Sequence, residues 1–463
     1  MNVPSPESLL DALKLLALRI TSEIDNGISK GEIRPLNKLY QRWKIDKFQY
    51  TEQGVTEPSA HTITDVIKIW HNTSDRIQES IKQSDEYMCA LDFISECVKE
   101  EEKRFSFLED FISMLISRRL NDPKFSDSEL YVLIINFIKE INGKPLRYGV
   151  NVELNGVVIL ADDVNFAVND TEILLRKTRI EDLEKEISSY DSTVSPFYGG
   201  TSAILDIAFF GRSAREIQIK VTQAVAILRL FKVGSVKYNS YCMRSEFVTD
   251  FLGRGTLNAG ESEKAMEKSV IRDKDIQQLV KFWEMMFNRL PLNFYDFGEQ
   301  SLDYRVISYK RYCDALLQNG VIERRIASAV MGLEGLFLRS SEKQELSYRL
   351  KMRIAKLLSF LGYEPYLVRD IVNKAYEVRS NFVHGSHLLD KDKKNLENRF
   401  GDIRFSFLLS LLDFLRASII VMILLKKTKD KLISLIDDAL VNRASETELV
   451  SMLDEIKEFV KTD

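Results

Sequence analysis

The chain has 463 residues, of which 45% are hydrophobic and 29% are charged, and its formal net charge is −4. A chain of this length can bury sizeable cores and is expected to form roughly two to four domains. The small acidic excess argues against a uniformly basic coat that binds nucleic acid without specificity, although a local basic groove stays open. The four cysteines form no Cys-x-x-Cys pair, so we expect neither a disulfide framework nor a zinc ribbon, and a cytoplasmic location.

Residues 1–143 are predicted to form a helical domain. Apolar residues recur there at helical spacing in residues 9–20, 63–81, 87–116 and 130–141. Gly54 and Pro58 predict a loop over residues 49–59. Charged residues interrupt the first apolar run, and no basic segment or cleavage site accompanies it, so we do not predict a signal peptide.

The residue pattern changes in residues 144–255, which are predicted to form a central α/β (α+β) domain. Asn155-Gly156, placed between alternating apolar residues, predicts a β-hairpin over residues 148–160. Alternation of apolar and polar residues predicts further strands at 164–168, 172–177, 202–210 and 235–248. Apolar residues at helical spacing predict helices at 180–188 and 214–231.

Residues 261–463 are predicted to be helical throughout, so the fold class is mainly α with a central α/β domain. The predicted helices cover residues 262–289, 302–318, 322–338, 346–361, 366–384, 403–427, 429–440 and 447–461. Residues 405–425 are apolar enough to suggest a membrane span, but they contain Asp413 and Arg416. One such charge costs about 3 kcal/mol near the centre of a bilayer, so we predict a buried core helix and no membrane partner.

Two of these helices place opposite charges at the edges of their apolar stripes. The stripe of residues 322–338 contains Ile326, Val330, Leu333 and Phe337, and that of residues 366–384 contains Ile371, Ala375, Val378 and Phe382. Glu334 lies at the edge of the first stripe and Arg379 at the edge of the second. An arginine rarely enters such a position unpaired, so we predict that Arg379 pairs with Glu334 or faces the same site.

His384 follows Arg379 by five residues, a step that turns about 140° on an ideal helix. The two side chains therefore share a face only if the helix ends near Val383, where Gly385 is placed to adopt the left-handed conformation. Alternatively, Arg379 and His384 each meet residues of a second copy of the chain across a two-fold dimer axis.

Residues 375–385, AYEVRSNFVHG, contain an Arg-x4-His string and resemble the motif helix of the Apea-like branch of the HEPN superfamily. Residues 325–337, RIASAVMGLEGLF, and residues 346–358, LSYRLKMRIAKLL, resemble the first and second conserved helices of that branch, in the same order. The resemblance covers about residues 302–430 and says little about the first 300 residues.

The resemblance implies a HEPN-type helical bundle that dimerises and cleaves RNA without a metal or other cofactor. In that scheme the 2′-hydroxyl of the RNA attacks the adjacent phosphate and His384 moves protons. Arg379 stabilises the phosphorane charge, Asn381 orients the phosphate or the imidazole, and Ser380 follows the arginine as is usual in this branch. Such domains commonly serve as toxins or antiphage effectors, which implies RNA, a second copy and a phage or cellular trigger as partners.

Two alternatives to cleavage stay open. The bundle could be a non-catalytic scaffold for dimerisation or binding, or a nucleotide-ligand sensor in which Arg379 and His384 bind a phosphate without cleaving it. On the nuclease interpretation, the first two domains would sense a trigger or hold the nuclease off.

Other candidate residues lie close to the motif. Arg349, Arg353 and Lys356 occupy one side of their helix and predict a basic strip that binds RNA phosphates. The charged residues 390–394 are predicted to be a solvated turn, with phosphate binding as the alternative. His61, His71, Cys89 and Cys97 match no zinc spacing, so no metal site is predicted.

Overall fold

The computed structural model describes residues 7–33, 42–46, 49–53, 63–121, 126–179, 202–211, 215–245, 254–256, 268–291, 303–317, 320–425 and 427–460. The described chain is mainly helical with a small sheet, as predicted. Its contacts divide into two units: the first comprises Met1–Glu153, Asn169–Ile217 and Ser240–Thr256, and the second comprises Leu154–Val168, Gln218–Asn239 and Leu257–Asp463. The three domains expected from the sequence stay a prediction.

Five helices form the N-terminal part of the first unit: α1 (Leu9–Ser29), α2 (Ile63–Lys82), α3 (Asp85–Cys97), α4 (Glu101–Asn121) and α5 (Asp127–Ile141). Helix α1 contacts each of the other four and begins at Ser8, whose hydroxyl accepts from the Asp11 amide. Ser126 and Glu129 form a capping box at the start of α5. The helical prediction for this region is confirmed, except that the stretch 87–116 is divided between two helices, since α3 ends at Cys97 and α4 begins at Glu101.

The strands are β1 (Arg42–Asp46), β2 (Gln49–Gln53), β3 (Leu146–Asn155), β4 (Val157–Ile159), β5 (Val164–Val168), β6 (Thr171–Lys177), β7 (Ala203–Gly211), β8 (Lys237–Ser245), β9 (Arg254–Thr256) and β10 (Ser269–Ile271). In the first unit, β6, β7, β3, β8 and β9 follow one another in this order in a sheet. Strands β6 and β7 are antiparallel, with Thr171 opposite Phe209 and Lys177 opposite Ala203. The predicted strands at 172–177 and 202–210 are confirmed, and the strand predicted at 235–248 is confirmed over Lys237–Ser245. Residues 246–248 and the predicted helix at 180–188 lie outside the described residues.

The prediction of a loop over residues 49–59 is wrong at its start. Strand β2 pairs antiparallel with β1, so that Arg42 is opposite Gln53 and Asp46 is opposite Gln49. Gly54 and Pro58 indicated the loop, but they follow β2 and do not interrupt it.

The β-hairpin predicted at Asn155-Gly156 is also wrong. Gly156 does adopt a left-handed conformation, with φ of 76°, but β4 pairs in parallel with β10 and not with β3. The Ser269 amide donates to the Gly156 carbonyl at 2.8 Å, and an added Cβ on Gly156 would lie 2.1 Å from the carbonyl oxygen of Ser235. The glycine therefore permits a close approach of backbone segments.

The prediction of one helix over residues 262–289 is wrong at its start, where strand β10 lies. The helical segment is shorter and begins after β10, because residues 269–271 pair with β4 instead of continuing a helix. Ser269 and Ile271 are buried on one side of this short strand, a burial with period two that a helix does not produce.

The second unit holds the remaining helices: α6 (Arg215–Phe231, from residue 218 onward), α7 (Ile276–Phe287), α8 (Tyr304–Leu317), α9 (Ile322–Phe337), α10 (Leu346–Ser359), α11 (Pro365–Val383), α12 (Asp390–Phe400), α13 (Leu409–Leu424), α14 (Lys429–Ala439) and α15 (Arg443–Val460). Helix α13 lies in the middle and contacts α7, α8, α9, α10, α11 and α15. A π-helical turn, Ile403–Leu408, leads into it.

Helix α13 is the buried core helix that its apolar composition predicts. Ile403–Leu424 is the one helix among the described residues that is long and apolar enough to cross a membrane, and 83% of its apolar window is buried inside the protein. The side chain of Arg416 is 1% exposed. It donates to Asp413 at 2.8 Å and to the Leu230 and Phe231 carbonyls at 2.8 and 3.0 Å. Its charge is therefore neutralised within the core.

Candidate functional site

Helix α11 carries the Arg-x4-His string and has well-defined ends. Pro365 occupies its first turn, where a missing amide proton costs nothing. At the other end, Gly385 adopts φ of 81°. The Gly385 amide donates to the Phe382 carbonyl at 3.0 Å and the Ser386 amide to the Asn381 carbonyl at 2.9 Å. These are the two bonds of a Schellman cap, so the prediction that Gly385 ends the helix after Val383 is confirmed.

Arg379 and Glu334 lie in contact, as their helical phases predict. Nη2 of Arg379 donates to Oε2 of Glu334 at 3.1 Å, and the two side chains are 27% and 15% exposed. The guanidinium also lies 5.8 Å from the centre of the Tyr376 ring. Burial raises the pKa of Glu334, and the attraction of Arg379 offsets part of that rise.

The Arg379 guanidinium is only partly satisfied by these contacts. Its Nε is buried and has no hydrogen-bond partner within the described part of the chain. Buried donors are nearly always paired in proteins. The unpaired Nε and the exposed part of the side chain show that Arg379 has hydrogen bonds still to make. The resemblance predicts a bound phosphate at this position.

The other motif residues lie at the open end of α11. His384 is the C-cap residue of α11 and is exposed, as are Asn381 and the nearby His387, while Ser380 is half-buried. The His384 amide donates to the Ser380 carbonyl at 3.2 Å. One helix end therefore presents an imidazole and an amide side chain to the surface, with the arginine one turn further back.

The RNA-binding strip predicted on α10 is corrected at its central residue. Arg353 is 1% exposed, and its guanidinium lies between two carboxylates. It donates to Glu342 at 2.9 and 2.6 Å, to Asp437 at 2.7 and 2.8 Å, and to the Phe337 carbonyl at 2.8 Å. A buried guanidinium with its donors occupied cannot contact RNA.

The flanking residues of that strip are also held in ion pairs. Arg349 lies 3.3 Å from Glu342 and 3.7 Å from Glu345. Lys356 lies 2.8 Å from Glu446 and stacks over Phe360. Sequence position alone placed these cations on one side of a helix but could not show that carboxylates from other segments cover that side.

Residues 390–394, predicted to be a solvated turn, instead begin helix α12. Their side chains are largely exposed, which agrees with the solvated part of the prediction. The loop between the motif and α12 is tied back to α9, since the Leu388 amide donates to the buried carboxylate of Glu323 at 3.4 Å.

A cavity of about 180 Å³ lies beside the motif and was not predicted. Helix α8 contributes Arg311 and Asp314, α9 contributes Arg324, and α11 contributes Phe382 and Val383, the two residues before His384. Arg311 and Asp314, three residues apart on α8, could have indicated a polar site on that helix. The sequence did not show that α8 lies next to the end of α11.

Among the described residues, no group of three or more histidine, cysteine, aspartate or glutamate side chains is placed to hold a metal ion. No protein-family model, curated protein or solved structure matches this chain.

Proposed function

We propose that the chain is a metal-independent endoribonuclease of the Apea-like HEPN type, acting as a toxin or antiphage effector in the cytoplasm. The observation that carries the proposal is the arrangement at the end of α11. Arg379 is fixed by Glu334 yet keeps unoccupied hydrogen-bonding capacity, and His384 stands exposed at the capped end of the same helix.

The family resemblance assigns a role to each residue, and the position of each residue is compatible with that role. Glu334 orients the guanidinium so that its planar fork can bind the phosphate whose charge grows in the transition state. His384 is solvent-accessible, and an imidazole exchanges protons readily near neutral pH, as both steps of a 2′-hydroxyl attack require. Asn381, one turn before the cap, can donate to a phosphate oxygen.

A second copy of the chain would complete this site. Arg379 and His384 are separated by the turn of the helix, and Val383 and Leu389 beside the motif are 56% and 69% exposed. A two-fold axis at this end of α11 would cover these apolar side chains and bring two motifs together. We therefore expect a dimer in sedimentation experiments; a monomer at micromolar concentration would count against the proposal.

The test of the proposed activity compares His384→Ala with His387→Ala. Purified wild-type protein should cleave mixed RNA in the presence of EDTA and leave 2′,3′-cyclic phosphate ends. His384→Ala should abolish cleavage with little change in melting temperature, and His387→Ala, the matched control three residues away, should retain it. Equal cleavage by His384→Ala would contradict the assignment.

Expression toxicity tests the same site in cells. Wild-type protein should arrest growth, and Arg379→Ala and His384→Ala should not. If the cellular function survives His384→Ala and no RNA is cleaved, the bundle acts as a scaffold and the nuclease proposal is wrong.

A further inference from the structure

The cavity beside the motif lies on the same sides of α9 and α11 as the ion pair of Arg379 and Glu334. Phe382 and Val383 line it from α11 and follow Arg379 by three and four residues, so they share one side of that helix. Met331 lines it from α9 and precedes Glu334 by three residues. Along α11, the cavity is therefore about one helical turn, or about 5.4 Å, from Arg379.

Two arginines with unused donors line the cavity. Arg324 on α9 is exposed, and its guanidinium has no hydrogen-bond or ion-pair partner within the described part of the chain. Arg311 on α8 makes one polar contact there, between its Nη1 and Oδ2 of Asp314 at 3.5 Å. Burial raises the pKa of Asp314 and the charges of both arginines lower it, so both guanidinium groups lie near this carboxylate. Each guanidinium has five N–H donors, most of which stay available to a ligand.

A buried hydroxyl also lines the cavity. Ser328 on α9 is 5% exposed, and its Oγ makes no hydrogen bond to any residue that the structure describes. A serine inside a helix commonly donates to the carbonyl four residues earlier, as Ser418 does to Phe414 at 2.7 Å. Ser328 does not use that carbonyl, so its hydroxyl is left for a ligand. Buried polar groups are nearly always paired, and a ligand in the cavity accounts for this one.

The ligand that these groups suit is a phosphate. Guanidinium and hydroxyl groups are the donors with which proteins hold the phosphate oxygens of a nucleic acid. The charged side chains of the cavity sum to a net positive charge, because Asp314 opposes two arginines. The volume of about 180 Å³ lies below the roughly 300–1,000 Å³ of pockets that hold drug-sized molecules. The cavity therefore favours one phosphate group over a whole nucleotide.

We propose that this cavity binds a second phosphate of the RNA backbone, adjacent to the phosphate that Arg379 engages. Arg324 and Arg311 donate to its non-bridging oxygens, Ser328 donates a further hydrogen bond, and the apolar wall contacts the ribose. The inference rests on the proposed function for its RNA ligand. A strand carries one phosphate per nucleotide, so two phosphate sites about one helical turn apart fix which phosphodiester bond reaches the motif.

The test measures binding of labelled oligouridine to the full chain carrying His384→Ala, so that cleavage does not interfere. In this background, Arg324→Gln should weaken binding by about 10-fold, because it removes hydrogen bonds to a charged group. It should also reduce the slope of log affinity against log salt concentration by about 0.7, the value for one phosphate contact on a single strand. Arg443→Gln, the same change at an exposed position of α15, should alter neither quantity.

A neutral methylphosphonate, placed at one linkage of the oligouridine at a time, locates the contact. At one linkage it should weaken binding to the chain with Arg324 by about 10-fold and have little effect on binding to Arg324→Gln. Such loss of additivity shows that the side chain and the phosphate contact each other.

Ser328→Ala tests a contact that involves no charged side chain. It should weaken binding of the RNA by about 5-fold without lowering the melting temperature, because no hydrogen bond of the folded chain is lost. Ser418→Ala, the matched control in the core helix, should leave the affinity for RNA unchanged. Unchanged melting temperatures of the Arg324 variants will show that these chains fold.

The outcomes separate this proposal from the nuclease proposal. Equal losses from Arg324→Gln and Arg443→Gln, or methylphosphonate effects that do not depend on Arg324, overturn the phosphate site even if the unmodified chain cleaves RNA. Binding that depends on Arg324, without cleavage by the unmodified chain, supports the phosphate site and contradicts the nuclease. If uridine 5′-monophosphate binds with the same dependence on Arg324 and the RNA binds no more tightly, the ligand is a free phosphate ester and the RNA source is wrong.

Discussion

Replacing Arg353 with methionine should destabilise the second unit strongly, because it removes the guanidinium closest to Glu342 and Asp437 and leaves Glu342 with only the longer ion pairs to Arg339 and Arg349. Glu342 is 8% exposed, and loss of Arg353 removes its hydrogen bonds at 2.9 and 2.6 Å. Breaking a buried ion pair by removing one partner typically costs about 3–5 kcal/mol. For a unit of this size that corresponds to a fall in melting temperature of roughly 10 °C.

The pKa of Glu342 gives a second route to the magnitude. The hydrogen bonds from Arg353 are the main reason that the pKa of Glu342 falls from 4.5 to about 2. A depressed carboxyl pKa stabilises the folded state above the unfolded pKa, and this contribution is lost as the pH falls through the folded pKa. At about 1.4 kcal/mol per pKa unit, the contribution is about 3 kcal/mol. The loss caused by Arg353→Met should therefore be large at pH 7 and much smaller near pH 2.

The assay is urea unfolding of the full chain followed by tryptophan fluorescence, since the buried Trp283 lies in the second unit. The matched control is Arg349→Met. Arg349 contacts the same Glu342 but is 41% exposed, so its removal should cost no more than about 1 kcal/mol. If the two variants lose equal stability, or if Arg353→Met stays stable and loses RNA affinity, the structural role of Arg353 is refuted.

Two further predictions concern folding. Gly156→Ala should destabilise by roughly 2–5 kcal/mol, since it combines a left-handed backbone with a clash against the Ser235 carbonyl. Gly143→Ala, at φ of 63° with nothing near the added atom, should cost only about 1 kcal/mol; equal losses in thermal melts would contradict the close approach. Burial is the main cause that raises the pKa of Glu140 to about 7, so wild-type stability should fall by up to about 3 kcal/mol as the pH rises from 5 to 8. Glu140→Gln should abolish this slope in urea unfolding, and a slope that persists would assign it to another group.

Much of the helical part could be predicted because the signal is local. The apolar stripes of α9 and α11 repeat every three or four residues, and the stripe residues of α9 are all buried. The same periodicity placed Glu334 and Arg379 at matching edges of the two helices. The end of α11 could be predicted equally well, since a glycine directly after a predicted helix favours a left-handed cap.

The errors have a common physical cause, which is that strands and ion pairs obtain their partners from distant segments. Asn155-Gly156 favours a tight turn locally, yet the strand that follows pairs with Ser269–Ile271, more than 100 residues later. Likewise, Arg353 is neutralised by Asp437, which lies 84 residues away. No local pattern contains this information, and the cavity beside the motif, built by three helices, was missed for the same reason.

Two fully buried arginines of the fold differ from Arg379 in their exposure and in the number of carboxylate and carbonyl groups to which they donate. Arg353 and Arg416 are each 1% exposed, and their guanidinium groups donate to carboxylates and backbone carbonyls of the core. Arg379 lies at a similar edge of an apolar stripe, but it has one carboxylate contact, a buried Nε without a partner within the described residues, and 27% exposure. An unpaired buried donor costs about 1–3 kcal/mol, but this feature is not confined to the motif, since Nε of Arg349 is also buried without a partner among the described residues. What sets Arg379 apart from Arg353 and Arg416 is its single carboxylate contact together with its 27% exposure, which leave part of the guanidinium open to a ligand such as a phosphate.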